Sequence, residues 1–263
     1  MNDPLTRAIH QVRDWTYENY HWAYLAGTAV LCNSLFFPNP AHTIYAWLTC
    51  ALLGAVLEPC VNPYRQIYGS NLGRLREGVA LTFDDGPSED TPALLDLLKA
   101  EGVKATFFVI GSQVEKYPDI VRRIAAEGHA LGNHTASHPN LMICTPGRTR
   151  RELERVQQQI QELTGQKPTW WRPPFGFRSP WTQPVATRLG LRCALWTINP
   201  RDFQDPGASV IVERVMGALD KGVIVLLHDG LQKRGQTLEA TRELIHRLKE
   251  QNIRFQLLDE SDA

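Results

Sequence analysis

The sequence predicts an α/β fold with parallel strands, preceded by a separate apolar segment. Two observations carry this prediction. From Val79 onward, apolar runs of strand length alternate with amphipathic runs of helical length, as in a chain of repeated strand–helix units. Before that, residues 19–57 contain no Lys, Arg, Asp or Glu, which sets this stretch apart from the rest of the chain.

The 263 residues divide into three predicted parts. Residues 1–58 form an N-terminal hydrophobic helical segment, residues 59–77 a linker rich in Pro, Asn, Gly and Arg, and residues 78–260 the α/β domain. A chain of this length suits one ordinary domain plus an extension.

Two apolar stretches make up most of the first part. Tyr20–Phe37 and Ala41–Leu57 flank the helix breaker Pro38-Asn39-Pro40, and each approaches the ~20 residues that cross a bilayer. They predict a transmembrane hairpin; two apolar helices packed against the following domain are the alternative. The nearby Arg residues lie only on the outer flanks of the hairpin. By the positive-inside rule, we expect a membrane-associated protein whose α/β domain is cytoplasmic.

Composition argues against two other classes of protein. Lys+Arg and Asp+Glu balance at 28 each, so no bulk charge attracts nucleic acid. The five cysteines are scattered without C-x-x-C spacing. This indicates reduced, mostly buried thiols, and neither a disulfide framework nor a Cys-based zinc site.

The α/β domain contains seven strand candidates and six helix candidates. The apolar runs are Val79–Phe83, Ala105–Ile110, His129–Gly132, Thr169–Trp171, Cys193–Ile198, Val223–Leu227 and Ile253–Leu258. The amphipathic runs are Thr91–Glu101, Pro118–Glu127, Pro146–Thr164, Trp181–Leu189, Ala208–Asp220 and Thr237–Gln251. Parallel strands joined by helices bring their carboxyl ends to one edge, where such folds place their active sites.

The first strand candidate ends on two adjacent carboxylates, Asp84 and Asp85, followed by Gly86-Pro87. Side chains alternate between the faces of a strand, so the two acids cannot share one role in an extended backbone. A bend would turn both towards one site, where one could hold a metal ion and the other could move a proton. An acidic turn at the protein surface is the alternative.

His134 and His138 follow the third strand candidate. Histidines four residues apart lie on one side of a helical turn and can present two imidazoles to one ion. The spacing alone is a weak signal, because surface turns carry it by chance. Together with a strand-end carboxylate, the pair predicts a three-ligand metal site with open positions, as in catalytic metal centres.

Three later strand ends carry further polar groups. The two prolines between Arg172 and Phe175 restrict the backbone, so the position of the Phe175 amide relative to Arg172 is fixed. An always-charged guanidinium near Asp84 would orient that carboxylate and keep it ionised. Asp202 follows the next apolar strand, and His228 ends another. Any one of these residues more often has a structural role than a catalytic one. Polar clusters at five successive strand ends, however, predict an active site.

In these residues the sequence resembles the polysaccharide deacetylase family, the NodB-homology domain or carbohydrate esterase family 4. The family's five short motifs correspond to T-F-D-D-G-P at 82–87, H-T-A-S-H at 134–138, R-P-P-F at 172–175, Asp-Phe at 202–203 and L-L-H at 226–228. The resemblance covers about residues 76–258. It implies a distorted (β/α) barrel, less regular than an eight-stranded one, and metal-dependent removal of N-acetyl, sometimes O-acetyl, groups from sugars.

The resemblance also implies a role for each site residue. The metal ligands would be Asp85, His134 and His138, holding zinc or, failing that, cobalt, nickel or manganese. The catalytic groups would be the base Asp84 with its partner Arg172, the acid His228 with Asp202 tuning its pKa, and the backbone N–H of Phe175 at the oxyanion. The substrate-binding residues would be Phe203, Leu226, Pro173 and Trp196, with Leu226 near the acetyl methyl. These roles suit the chemistry, because a metal activates water and an amine leaves only when protonated.

Two positions depart from the family pattern. Asn199 stands where many relatives have Asp, and Phe203 stands where many have Trp. We expect the first to alter pH dependence or ligand choice and the second to shift substrate preference. Phe175 can replace the common Tyr freely if only its backbone amide acts.

The implied partner is an N-acetylated carbohydrate or, given the predicted membrane hairpin, a lipid-linked amino sugar. Deformylation or O-deacetylation of a sugar is the nearest alternative, since the same water attacks either acyl group. A non-catalytic, membrane-anchored sugar-binding module would be expected to lose its acid–base residues. Two histidines and a carboxylate also bind iron in non-heme oxygenases, but those sites need neither an Asp–Arg base nor a separate His acid.

Overall fold

The computed structural model describes residues 44–50, 52, 71–231 and 234–258. By its internal contacts the chain divides at residues 62 and 63 into an N-terminal and a C-terminal unit. In the N-terminal unit, residues 44–50 and 52 are helical, in agreement with a helix over Ala41–Leu57. The rest of the predicted hairpin, including Tyr20–Phe37, lies outside the described residues.

The C-terminal unit is built on one sheet of seven parallel strands. The strands are β1 (Asn71–Leu72), β2 (Val79–Asp84), β3 (Thr106–Val109), β4 (Ala130–Asn133), β5 (Trp170–Trp171), β6 (Arg192–Ala194) and β7 (Val223–His228). Their order in the sheet is β1-β6-β5-β4-β3-β2-β7. β2 is buried along its whole length, which explains why it reads as an apolar run with little alternation.

The chain after β6 brings the two ends of the sheet together. Ile198 forms a parallel bridge with Val225 of β7. Around it, Thr197 N donates to Ile224 O at 2.9 Å and Leu226 N donates to Ile198 O at 2.9 Å. The sheet therefore curls into a distorted barrel with seven strands, which confirms the predicted fold class.

Helices cover the outside of the sheet. They are α1 (Thr91–Ala100), α2 (Gly111–Lys116), α3 (Pro118–Ala126), α4 (Pro146–Thr164), α5 (Thr182–Arg188), α6 (Ala208–Gly217) and α7 (Gly235–Glu250), with short 3₁₀ turns at Pro174–Gly176 and Asp202–Gln204. Their apolar faces form a core with the sheet; Leu95 of α1 and Leu244 of α7 are fully buried beside Phe83. This burial stabilises each helix more than its own propensity does.

Local signals set the ends of the longest helix, α4. The Thr145 hydroxyl accepts a hydrogen bond from Arg148 N, and Pro146 occupies the first turn, where its missing N–H costs nothing. At the other end Gly165 has φ +72°, a left-handed conformation that glycine adopts without strain. The predicted bounds of this helix are therefore confirmed.

Three elements differ from the prediction. β1 lies within the predicted linker, where two residues that pair with β6 are too short a run to predict a strand. α2 was not predicted, because six residues cannot show a helical period. Ile253–Leu258 was predicted as a strand, but only Phe255 bridges to Val79.

Within the described ranges, no helix combines the length and the apolar character needed to cross a membrane.

Candidate metal and catalytic site

The two carboxylates at the end of β2 are turned into the same site by a bend in the backbone. Asp84 is the last residue of β2, and Asp85 has φ +74°, a left-handed conformation that a non-glycine residue adopts only where its surroundings impose it. Both side chains are buried. The predicted bend is therefore present, and the acidic surface turn is excluded.

Asp229 and Gly230, after β7, pack closely against this bend. Asp229 N donates to Asp84 O at 3.0 Å. A Cβ at Gly86 would overlap the Asp229 carboxylate, and one at Gly230 would overlap the Asp85 carbonyl. Only two glycines allow the strand ends to approach so closely.

The Asp229 carboxyl is buried with few partners. Its Oδ2 accepts from the Thr91 hydroxyl at 2.6 Å, and its Oδ1 has no hydrogen-bond partner. Burial raises the pKa of Asp229 from 3.8 to about 7, against the hydrogen bond from Thr91 and with the help of the charges of Asp85 and Asp84. No role for this residue was predicted, although it directly follows His228.

His134 and His138 lie on an irregular loop after β4, not on a helical turn as predicted. Thr135 and His138 both have positive φ values, 69° and 53°. Side chains hold the loop in shape: Thr135 N donates to Asn133 Oδ1 at 2.9 Å, and His138 N donates to Thr135 Oγ1 at 3.1 Å. The two imidazole rings still face one site, with centroids 5.0 Å apart.

Both imidazoles meet the carboxylate of Asp85. Their Nε2 atoms lie 3.4 Å (His134) and 3.2 Å (His138) from Asp85 Oδ1. His134 Nδ1 lies 2.8 Å from the carbonyl oxygen of Arg172. A carbonyl can only accept, so Nδ1 carries the proton and the lone pair of a neutral His134 is on Nε2, towards Asp85.

A divalent metal ion fits this cluster. One ligand atom from each of Asp85, His134 and His138 lies within 4.8 Å of the others, and Asp85 Oδ1 is buried without a hydrogen-bond partner. A cation would satisfy that oxygen and both nitrogens together. The predicted ligand set therefore converges in space.

The pKa values favour the metal-binding protonation states. Burial raises the pKa of Asp85, but the adjacent His134, and then His228 and His138, outweigh it and lower the pKa from 3.8 to about 2. Burial, and then the charge of His134, lowers the pKa of His138 to about 4. Near neutral pH, Asp85 is ionised and His138 is neutral, as ligands to a metal must be.

Arg172 is fully buried beneath Asp84. Its Nη1 donates to Asp84 Oδ1 at 2.7 Å and to the Thr82 hydroxyl at 2.8 Å. Its Nε and Nη2 donate to the carbonyls of Ala194, at 3.1 Å, and Leu195, at 2.7 Å. The guanidinium also lies over the ring of Phe108, 4.1 Å from its centroid. These contacts fix the charge and direction of the group, as buried ion pairs require.

Asp202 and His228 form a second buried pair. Asp202 Oδ1 lies 2.7 Å from His228 Nδ1, and Oδ2 accepts from His228 N at 2.8 Å and from the Thr237 hydroxyl at 2.9 Å. Burial lowers the pKa of His228, but the hydrogen bond and charge of Asp202, with the charges of Asp84 and Asp85, raise it above its ordinary value. Nδ1 is thus held as a donor, and Nε2 carries the exchangeable proton.

Phe175 stands at the rim of the site in a tight turn. Its φ is +59°, and Gly176 N and Phe177 N close the turn by donating to Pro173 O and Pro174 O. Within the described part of the chain, no hydrogen bond involving Phe175 N–H occurs. The exposed Phe175 ring packs edge-on against His138, with centroids 4.7 Å apart.

The four residues predicted to bind substrate have different surroundings. Phe203 is partly exposed, with its ring centroid 5.5 Å from that of His228, and Leu226 and Pro173 are buried. Trp196 is also buried. Its ring lies against Gly176, where a Cβ would sit 2.7 Å away, and 5.9 Å from the Arg172 guanidinium. Trp196 therefore packs against the turn that carries Phe175, and its predicted contact with a substrate stays a prediction.

Four residues that contact the site residues or their backbone were not predicted: Thr82, Asn133, Thr237 and Asp229. Thr82 precedes Asp84 by two residues, which places it on the same face of β2, and this signal was available. Thr237 has no local signal, because its partner Asp202 is 35 positions away.

The fold and this cluster define the class of protein: a (β/α) barrel with a candidate metal centre at the carboxyl ends of its strands. A family profile described as polysaccharide deacetylase matches residues 74–194. A chitooligosaccharide deacetylase of Bradyrhizobium sp. (strain ANU 289) is 42% identical over 171 residues, 63% of this chain and 76% of that protein. A peptidoglycan-N-acetylglucosamine deacetylase of Bacillus cereus is 39% identical over 180 residues, 67% of this chain and 65% of that protein.

Solved structures agree with these relatives. The Bc1960 peptidoglycan N-acetylglucosamine deacetylase has a TM-score of 0.71 and 35% identity, covering 73% of this chain and 92% of that one. A family pseudoenzyme from Bacillus anthracis has a TM-score of 0.69 and 29% identity, covering 73% and 68%. The chain belongs to the polysaccharide deacetylase family. The predicted enzyme class is confirmed: a carbohydrate de-N-acetylase, a hydrolase of carbon–nitrogen bonds other than peptide bonds.

The predicted localisation has to be corrected. A membrane-associated protein with a cytoplasmic catalytic domain was predicted from the apolar stretches, but the described residues contain no helix able to cross a membrane. Relatives from Bacillus cereus and Listeria monocytogenes are named for peptidoglycan, which does not fit a catalytic domain on the cytoplasmic side. The predicted orientation depended on a small number of Arg residues beside two short apolar stretches, which is weak evidence for a membrane topology.

Proposed function

We propose that this protein removes N-acetyl groups from N-acetylglucosamine units of a carbohydrate, using a bound divalent metal. One observation carries the proposal: the Asp84–Arg172 and Asp202–His228 pairs flank the Asp85–His134–His138 cluster. The relatives support the substrate class, since they are named for chitooligosaccharide and for peptidoglycan N-acetylglucosamine.

The metal would be held by Asp85, His134 and His138, with zinc as the proposed ion. One oxygen and two imidazole ligands with open positions are the common set of catalytic zinc sites. When bound, the ion would lower the pKa of a coordinated water and polarise the acyl carbonyl. The chain itself keeps the ligands ready, because the Arg172 carbonyl fixes the His134 tautomer.

Asp84 would act as the general base. Its Oδ1 is bound by Arg172, and its Oδ2 faces the metal cluster, 3.7 Å from His134 Nε2. This orientation lets Oδ2 accept a proton from the attacking water while Oδ1 stays fixed. The new carbon–oxygen bond produces a tetrahedral intermediate with a negative oxygen, towards which the free N–H of Phe175 would point.

His228 would act as the general acid. Asp202 holds Nδ1, so the proton on Nε2 is the one that can pass to the leaving nitrogen. Breaking the carbon–nitrogen bond then releases a neutral amine and acetic acid, which loses its proton to water and becomes acetate. Phe203 beside His228 would form a wall for the sugar ring, and Leu226 would lie near the acetyl methyl.

The experiment is an acetate-release assay with the full chain. The metal-stripped protein is reloaded with zinc, cobalt, nickel or manganese, and given N-acetylglucosamine oligosaccharides and peptidoglycan. We expect acetate and free amines to appear in equal amounts, with zinc among the activating ions. Asp84→Asn should lower the rate by ~10²-fold or more while metal content stays unchanged. The exposed Asp119→Asn is the matched control.

Two results would contradict the proposal. One is full turnover by Asp84→Asn, which would remove Asp84 as the base. The other is the absence of acetate release with every metal and substrate, which would indicate an inactive protein, like the family's pseudoenzyme.

A further inference from the structure

Most of the large apolar side chains that face solvent in the barrel lie in loops at the carboxyl ends of its strands. Among the described residues of the C-terminal unit they are Ile143, Phe175, Trp181, Phe203, Val210 and Leu231. All except Val210, on α6, lie in loops that follow the carboxyl ends of strands. Clusters of exposed apolar side chains mark binding surfaces more often than chance exposure does. Phe175 and Phe203 flank the reacting centre, but Ile143 and Trp181 do not.

Ile143 is 83% exposed, and its position is fixed by a compact turn. Asn140 closes that turn: its Oδ1 accepts from Met142 N at 3.0 Å, and its carbonyl accepts from Ile143 N at 3.4 Å. The side chain of the next residue, Cys144, is buried. The turn therefore presents Ile143 to solvent while its neighbour anchors the loop.

Trp181 is attached to the same turn. Its indole Nε1 donates to Cys144 O at 2.7 Å. This bond satisfies the only polar atom of the ring, and 36% of the residue stays exposed. A tryptophan held by its N–H with part of its ring in water is suited to stacking. We call the pair Ile143 and Trp181 the outer ledge.

The outer ledge continues the wall of the candidate site. The loops after β4 and β5 meet twice: at the metal cluster, where Phe175 packs against His138 with centroids 4.7 Å apart, and farther along, where Trp181 binds Cys144. Between these points Phe177 packs on Phe175, with centroids 5.7 Å apart. The two loops are thus joined at both points, and Phe175 and Phe177 precede Trp181 on the loop after β5.

We propose that the outer ledge binds a second sugar ring of a chain of N-acetylated amino sugars, beyond the unit that is deacetylated. Pyranose rings expose apolar C–H faces that stack on indoles, while their hydroxyls remain in water. The ledge therefore selects for oligomers over single sugars. This inference rests on the proposed function for the identity of the sugar, and it adds a binding site that the acid, base and metal residues do not require.

The test measures binding and turnover with two probes, N-acetylglucosamine itself, which has no second ring, and its hexasaccharide. Ile143→Ser changes an exposed side chain, so folding is not at risk. Trp181→Ala removes the ring, and Trp181→Phe keeps an aromatic face while losing the N–H anchor. Val210→Ser is the matched control, because Val210 is also an exposed aliphatic residue. Titration calorimetry is done with each change in the Asp84→Asn protein, so that bound sugar is not consumed.

We expect Ile143→Ser and Trp181→Ala to weaken hexasaccharide binding roughly three- to tenfold and to leave binding of the monosaccharide unchanged. Trp181→Phe should retain more of the hexasaccharide affinity than Trp181→Ala. Val210→Ser should bind the hexasaccharide as tightly as the Asp84→Asn protein without it. In the active protein, the KM for the hexasaccharide should rise while kcat stays constant.

Other outcomes separate this inference from the proposed function. Equal losses for both probes, or no loss for either, would overturn the ledge even if the enzyme releases acetate. A loss of affinity confined to the hexasaccharide would support the ledge even if no acetate release occurred.

Discussion

Asp84 and His228 are paired residues on neighbouring parallel strands, at the ends of β2 and β7. The register of these strands therefore sets the proposed base beside the proposed acid. Each has its own buried partner, Arg172 for Asp84 and Asp202 for His228. The guanidinium of Arg172 orients the Asp84 carboxylate, while the carboxylate of Asp202 raises the pKa of His228.

The first prediction concerns His228 and its partner. His228→Gln should slow hydrolysis of amide substrates by about 10²–10⁴-fold and affect activated esters much less, because their leaving groups do not need a proton. The measurement is kcat/KM on an N-acetyl sugar and on an aryl acetate. Equal losses on both substrates would exclude His228 as the acid.

Asp202→Asn tests the same assignment by pH. Asp202 raises the pKa of His228 against burial, so the protonated acid persists to higher pH in the natural protein. Without the carboxylate, the pKa of His228 falls and the alkaline limb of the rate profile should move to lower pH. Asp119→Asn, a change at an exposed carboxylate, should leave the limb in place. If the alkaline limb of the Asp202→Asn profile stays at the same pH, that limb reports the titration of a group other than His228.

The second prediction concerns the metal ligands. His138→Ala should weaken metal binding by at least ~100-fold, since removal even of groups that support ligands costs 10- to 100-fold. The metal-free variant should still fold, because the His138 imidazole contacts Asp85, His134 and Phe175 within the site and not the apolar core. Melting curves with and without zinc measure this: the metal should raise the melting temperature of the natural protein and not that of the variant.

His246→Ala is the control for that experiment, because this imidazole is exposed on α7 beside Glu250. It should keep the full response to metal. Normal metal binding by His138→Ala would show that the cluster is not the binding site.

The third prediction concerns Arg172, whose guanidinium makes four hydrogen bonds to Asp84, Thr82 and two carbonyls. Arg172→Met should lower the free energy of unfolding by ~3 kcal/mol or more, because it leaves the Asp84 charge buried without its partner. Urea unfolding measures the loss. Arg122→Met, at a largely exposed ion pair with Asp119, should change stability by less than ~0.5 kcal/mol. Equal stability of the two variants would contradict the role of Arg172 in holding Asp84.

The fourth prediction concerns the buried Asp229. Its pKa is raised from 3.8 to about 7 in the folded state, so its protonated form stabilises the fold below pH 3.8 and this contribution is lost as the pH rises through 7. The folded state binds more protons in this window, and stability falls by at most ~1.4 kcal/mol per pH unit for one such group. Asp229→Asn stays neutral and can still accept from Thr91, so it should lack this fall.

The measurement for Asp229 is urea unfolding of the chelated protein from pH 4 to pH 8, since a metal would add its own pH dependence. The stability of Asp229→Asn relative to the natural protein should rise between pH 4 and 7. A constant difference across that range would mean that Asp229 does not titrate there.

The chemical groups of the site and their order along the chain could be predicted from the amino-acid sequence. Apolar runs ending abruptly on Asp84, His134 and His228 mark buried strands that stop at a crevice, and this signal is local. The ends of α4 were equally local, since Thr145 and Gly165 act on their own helix. The alternation of strands and helices was enough for the fold class, because burial periodicity depends on near neighbours.

Which of these groups support one another could not be predicted, because it depends on how distant segments pack together. Thr82 and Thr237 reach their partners across 90 and 35 positions, and the strand order that brings them together leaves no mark in local periodicity. The same holds for the bend at Asp85, which depends on close packing against Gly230 from β7. The hydrophobic pattern is a local property of the sequence, whereas hydrogen-bond partners and backbone strain depend on contacts between distant segments.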